Sequence, residues 1–146
     1  MKLIAIAAMA ATLLVASPAL ATPPTLESTR DAMIGKWHNN AEDPASFWQF
    51  NADGTEVDSG GLRYKWLLFS GAKPPKEATP EAIDVPDKNA IYLELKDTSG
   101  VGSLLFYTVA HVDAMKMELD YIHGAGNGFQ YFTRVTGKPA RRPTGY

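Results

Sequence analysis

The 146-residue chain contains no cysteine. This excludes disulfides, thiol catalysis and thiolate metal sites, as well as a lipoprotein anchor, which needs a cysteine just after an export signal. An exported chain without disulfides fits a bacterial periplasm or culture fluid better than an animal extracellular space. Charge of one sign is also scarce: 14 basic and 16 acidic residues leave a formal net charge of −2. That excludes the concentrated basic face of a nucleic-acid-binding protein. Long helical periodicity is missing, so parallel βαβ units are excluded. No G-x-S-x-G elbow and no glycine-rich loop leading into a helix appears, so no nucleophile or phosphate-cradling motif marks an enzyme. The three histidines, His38, His111 and His123, lack H-x-H or H-E-x-x-H spacing, so no metal and no cofactor are expected. Residues 38–43 (HNNAED) read as a solvated polar loop, without the dense oxygen spacing of a calcium loop.

What is present begins with a single lysine, Lys2, and an uncharged apolar run from Leu3 to Val15. Ser17-Pro18 breaks that run and Ala19-Leu20-Ala21 follows as a small-x-small site. These are the three parts of a secretory signal, and cleavage after Ala21 is the natural expectation. The run is shorter than the about 20 residues that cross a bilayer, so no transmembrane anchor is expected after cleavage. The chain is therefore expected in the periplasm or secreted.

Past the signal, residues 22–34 read as a proline-stiffened approach segment with a short helix over 26–34, where Leu26, Met33 and Ile34 would share a face. From Gly35 the period becomes two. Strands are predicted at 35–38, 46–50, 55–58, 62–69, 91–96, 103–112, 115–121 and 129–135. Asp53-Gly54 marks a hairpin because glycine accepts positive φ. Leu62, Tyr64, Trp66 and Leu68 form an apolar face, as do Ile91, Leu93 and Leu95, and Met115, Met117, Leu119 and Tyr121. A hairpin at Asp113-Ala114 would pair Val112 with Met115. Residues 103–112 (SLLFYTVAHV) are apolar on both faces, as a covered strand requires. Residues 70–90 carry four prolines and read as a long irregular loop, a candidate lid over an open barrel end. Residues 137–146 read as a flexible basic tail.

About eight short strands joined by tight turns are expected to close, because closing a sheet hides its edges. The expected fold is all-β, an up-and-down antiparallel barrel over residues 35–136, with a two-sheet sandwich as the alternative. Ile34-Gly35-Lys36-Trp37, entering the first strand after a helical turn, resembles the Gly-x-Trp signature of lipocalins and the wider calycin group. The segments 50–55 (FNADGT) and 113–117 (DAMKM) also resemble small bacterial lipocalin-like domains. The resemblance implies that Trp37 plugs one barrel end and that Arg134, on the last strand, packs over it. No Thr-Asp-Tyr motif of typical lipocalins is present, and no helix is predicted after the last strand.

Trp48, Tyr64, Trp66, Tyr107 and Met117 are the candidate ligand-binding residues. Aromatic and methionine side chains either line an apolar pocket or fill a narrow barrel, and short strands favour filling. The leading expectation is an exported lipocalin-like protein binding a small apolar molecule. The alternative is a periplasmic interaction or inhibitor module with an envelope protein partner and a filled core.

Overall fold

The structure, a computed structural model, describes residues 21–78, 87–100, 102–122 and 128–137. The expected signal up to Leu20, the centre of the proline-rich loop, His123 and the tail from Lys138 lie outside the described residues.

The helix α1 spans Leu26–Met33. Thr25 caps it: its hydroxyl accepts from the Ser28 amide at 3.1 Å, and the Ser28 hydroxyl accepts from the Thr25 amide at 2.9 Å. This reciprocal box satisfies donors that the first helical turn leaves without partners. Thr29 and Met33 form the buried stripe, whereas Leu26 is exposed. The expected apolar face is thus corrected at its first member, since the buried stripe runs through Thr29 and Met33 and leaves Leu26 outside.

Eight strands follow: β1 Gly35–Asn39, β2 Trp48–Phe50, β3 Thr55–Asp58, β4 Arg63–Ser70, β5 Ile91–Asp97, β6 Leu104–Val112, β7 Lys116–Tyr121 and β8 Gly128–Arg134. Each pairs antiparallel with its chain neighbour, and β1 pairs with β8 to close an eight-stranded barrel. Closure runs through Trp37↔Arg134, His38↔Thr133 and Asn39↔Phe132. The alternation along β4 to β8 places Trp66, Leu68, Leu93, Leu95, Tyr107, Met117, Leu119 and Phe132 in one contiguous apolar interior with Met33, Trp37 and Phe50. Antiparallel order puts α1 and the turn at 51–54 at one end, here the lower end. The turns at 40–47 and 59–62 lie at the upper end.

Two expected details differ. Val112 pairs with Met117, not Met115, and the register shifts between Val109 and His111. Met115 is 49% exposed. The Asp113 carboxylate accepts from the Met115 and Lys116 amides, both at 2.7 Å, and so takes Met115 into the turn. Leu62 is likewise exposed: its amide donates to Asp58 at 2.9 Å and it belongs to the turn before β4.

The outer wall of β4, β5 and β6 is covered. Phe69, Tyr92 and Phe106 form a second buried cluster, packed by Ala78 and Ala90 from the long loop and by Ile122. The described parts of that loop therefore pack on the side of the barrel rather than over its end. This explains why 103–112 is apolar on both faces: Tyr107 faces the lumen and Phe106 faces the loop. Gly71 permits the approach, because a Cβ there would collide with the Asp87 carbonyl.

Candidate functional site

The lower end is shut by two arginine–tryptophan stacks. The Arg134 guanidinium lies 4.1 Å from the centre of the Trp37 ring. It also donates to the carbonyls of Ala32, Ile34 and Ala114, so the helix, the residue leading into β1 and the turn between β6 and β7 are tied to β8. Trp37 Nε1 donates to the Met33 carbonyl at 2.7 Å. Gly35 lies at φ +132°, and a side chain there would strike the guanidinium. The second stack has no counterpart in the sequence reading. Arg30 lies 4.5 Å over Trp66 and donates to the Ala52 carbonyl at 2.8 Å, while Trp66 Nε1 donates to Asn51 at 3.0 Å. Both indole donors are satisfied, and the Thr29 hydroxyl is the buried polar group left without a partner on this helix among the described residues.

The five candidate binding residues are divided by the fold. Trp66 and Met117 are buried, Trp66 packing edge-on against Phe50 at 5.3 Å. Trp48, Tyr64 and Tyr107 lie towards the upper end. Trp48 meets Tyr107 across the lumen at 6.0 Å and Phe132 at 5.0 Å, and Tyr107 meets Tyr121 at 5.2 Å. These rings therefore meet across the barrel. Trp48, Tyr64 and Tyr121 are half-buried and form the upper rim.

Beneath that rim sits a residue the sequence reading passed over. Glu56 is 1% exposed, faces the interior between Phe50 on β2 and Tyr64 on β4, and neither carboxyl oxygen has a hydrogen-bond partner among the described residues. A buried polar group without partners costs stability, and a charged one costs far more. Burial, with Asp58 as the second cause, pushes this carboxyl up to about 8. Tyr64 is raised above its ordinary value by burial and by Asp58, Asp97 and Glu56; Tyr107 is raised by burial and by Tyr121, Tyr64 and Glu56. Among the described residues, every ionisable group that acts on these three side chains is an acid. The neighbouring Arg63, Lys65 and Lys96 hold exposed positions on the outer face. The Gln130 Oε1 is also buried without a partner. Hairpin arithmetic carries the signal for Glu56: a tight turn at 51–54 pairs Phe50 with Glu56, and Phe50 faces inward. Val57, the apolar member of β3, misleads.

A second carboxyl, Glu94, is buried on the outer wall beside a groove of about 440 Å³ lined by Lys65, Leu67 and Lys96. Burial and Glu77 raise it, against Lys96. His38 contacts the Ser46 carbonyl at 3.0 Å, and His111 pairs with Asp113 at 2.9 Å. Among the described residues no three potential ligands converge on a metal position. The spacing Ser70-Gly-Ala-Lys73 matches a serine–lysine pair, but Ser70 ends β4 and its carbonyl accepts from the Lys73 amide at 2.9 Å in a turn. A nucleophile motif of that kind opens a helix. No family model, curated protein or solved structure matches this chain.

Proposed function

We propose that this chain is an exported barrel protein that binds a small, mainly apolar molecule at its upper end. The observation that carries the reading is Glu56. A barrel that only needed a filled interior would place an apolar residue between Phe50 and Tyr64. An acid left without partners there is a destabilising choice, and such choices concentrate at functional sites. Trp48, Tyr64 and Tyr107 would take the apolar body of the ligand, and Glu56 its polar group. Trp66 and Met117 would act only as packing. The ligand would have to be compact, since the lower interior is filled. The signal at residues 1–21 supports export, and Gly35-Lys36-Trp37 with Arg134 supports a lipocalin-like kinship.

Native mass spectrometry of the protein purified from its own host tests this. The expected result is a small-molecule adduct that is lost on denaturation. A bare chain in every preparation would overturn it. One observation favours the second reading, an interaction module: Phe129 and Tyr131 on the outer face of β8 are 54% and 51% exposed and stack at 6.3 Å. Co-purification of an envelope protein, lost on replacing both rings with alanine, would favour that reading.

A further inference from the structure

We infer that the group recognised by Glu56 is a compact organic cation, a primary amine in its ammonium form carried on an apolar body. This rests on reading the upper end of the barrel as a binding site, and it adds the charge of the ligand.

Three independent features agree. The first is the orphaned acid itself: two buried oxygens, four lone-pair directions and no donor among the described residues. An ammonium offers three donors and the opposite charge. The second is the sign of the surroundings. Asp58 lies on the same face of β3 as Glu56, two residues nearer the rim, and Asp97 stands opposite Tyr64 in the register. The basic residues of β4 and β5 sit on the outer face, so no described cation answers these acids from within. An anionic ligand would be repelled, and a neutral one would leave the acids as they are. The third is the aromatic wall. Trp48 and Tyr107 meet edge to face at 6.0 Å, and their ring faces favour a desolvated cation over an anion. Access is from the upper end, where Trp48, Asp58, Tyr64 and Tyr121 are only half-buried.

Binding should also move a proton. In the empty barrel near neutral pH the Glu56 carboxyl is held protonated. Pairing with an ammonium ionises it, and the proton leaves to solvent. Among the described residues the groups that act on it are Asp58 on its own strand, Tyr64 on β4 and Tyr107 on β6, with Asp97 paired beyond Tyr64 and Tyr121 paired beyond Tyr107. Burial raises Tyr64 and Tyr107 above their ordinary values and the Ser99 hydrogen bonds lower Asp97 below its own, so none of these three gives up a proton at neutral pH and the release is assigned to Glu56.

The test uses the purified chain and three probes of one shape: phenethylamine, the neutral phenethyl alcohol and the anionic phenylacetate. Tryptophan fluorescence reads binding. Calorimetry near pH 7 in two buffers of different ionisation enthalpy counts protons. The wild type should bind the amine at least tenfold more tightly than the alcohol and release about one proton. Glu56→Gln should lose that preference and the release; a melting curve establishes that it is folded. Equal binding of amine and alcohol by the wild type, which needs no variant, would overturn the inference, as would an unchanged amine preference in Glu56→Gln. Binding of the alcohol or the acid alone would overturn it and leave the binding site standing. Binding of none of the three would overturn it together with the site.

Discussion

Glu56 sets a cost that the rest of the barrel must carry. Its carboxyl is neutral in the folded chain up to about pH 8 and ionises near its ordinary value of 4.5 when the chain unfolds. A raised folded value means that its contribution is present in full below 4.5 and is lost as pH rises towards 8. Across that window stability should fall by about 1.4 kcal/mol per pH unit from this group. Glu56→Gln removes the slope, so the variant should be less pH-sensitive and more stable than wild type above pH 8. Urea unfolding between about pH 5 and pH 9 checks this; a slope that persists in the variant would assign the effect to another group. The same residue shows what was hard to read locally. In 55–58 (TEVD) the period of two is plain, but its phase is not. Val57 invites the inward assignment, and only pairing with Phe50 reverses it.

At the scale of elements, the long loop and the outer wall explain one another. Phe69 and Tyr92 stack at 5.3 Å, and Phe106 meets Phe69 edge-on at 6.2 Å, all on the face of the sheet that a bare barrel would give to water. The Asp87 amide donates to the Tyr92 hydroxyl at 2.9 Å and holds the loop on this wall. Gly71→Ala should push the loop off, because the new methyl meets backbone that has no rotamer to yield. The expected cost is about 1–3 kcal/mol, as for overpacked sites, together with new binding of a hydrophobic dye such as ANS. A lower melting temperature without dye binding would mean that the wall stays covered. The proline pattern of 70–90 announced an irregular loop, and the double-faced apolar strand at 103–112 announced a cover. That one covers the other is a contact between distant segments, which no local pattern records.

At the scale of the molecule, Arg134 is a staple across the chain. Its three carbonyl acceptors lie in α1, in the residue leading into β1 and in the turn after β6, and its plane lies on Trp37. It therefore acts on barrel closure as a whole and not on one hairpin. Trp37→Ala should cost about 3–5 kcal/mol, as buried aromatic truncations do. Arg134→Ala should cost less, and the pair should be non-additive by about 0.5–3 kcal/mol in a double-mutant cycle. Strict additivity in urea unfolding would mean that ring and guanidinium act separately. The eight described strands, in which β1 with β8 is the only non-sequential pairing, depend on this junction, since without it the sheet has two open edges.

The sequence by itself determined the class. The lack of cysteine removed thiol and disulfide chemistry, the missing helical period removed parallel sheets, and eight alternating runs with tight turns left an antiparallel sheet that closes. These follow from local facts: side-chain period, turn chemistry and the cost of an exposed edge. The tertiary structure alone decided which alternation faces inward at β3, which of five aromatic and methionine candidates lie at the rim and which in the sealed interior, and what covers the outer wall. Each depends on register or on packing between segments far apart in the chain. The unpartnered acid at the centre of the candidate site became visible only when both were in place.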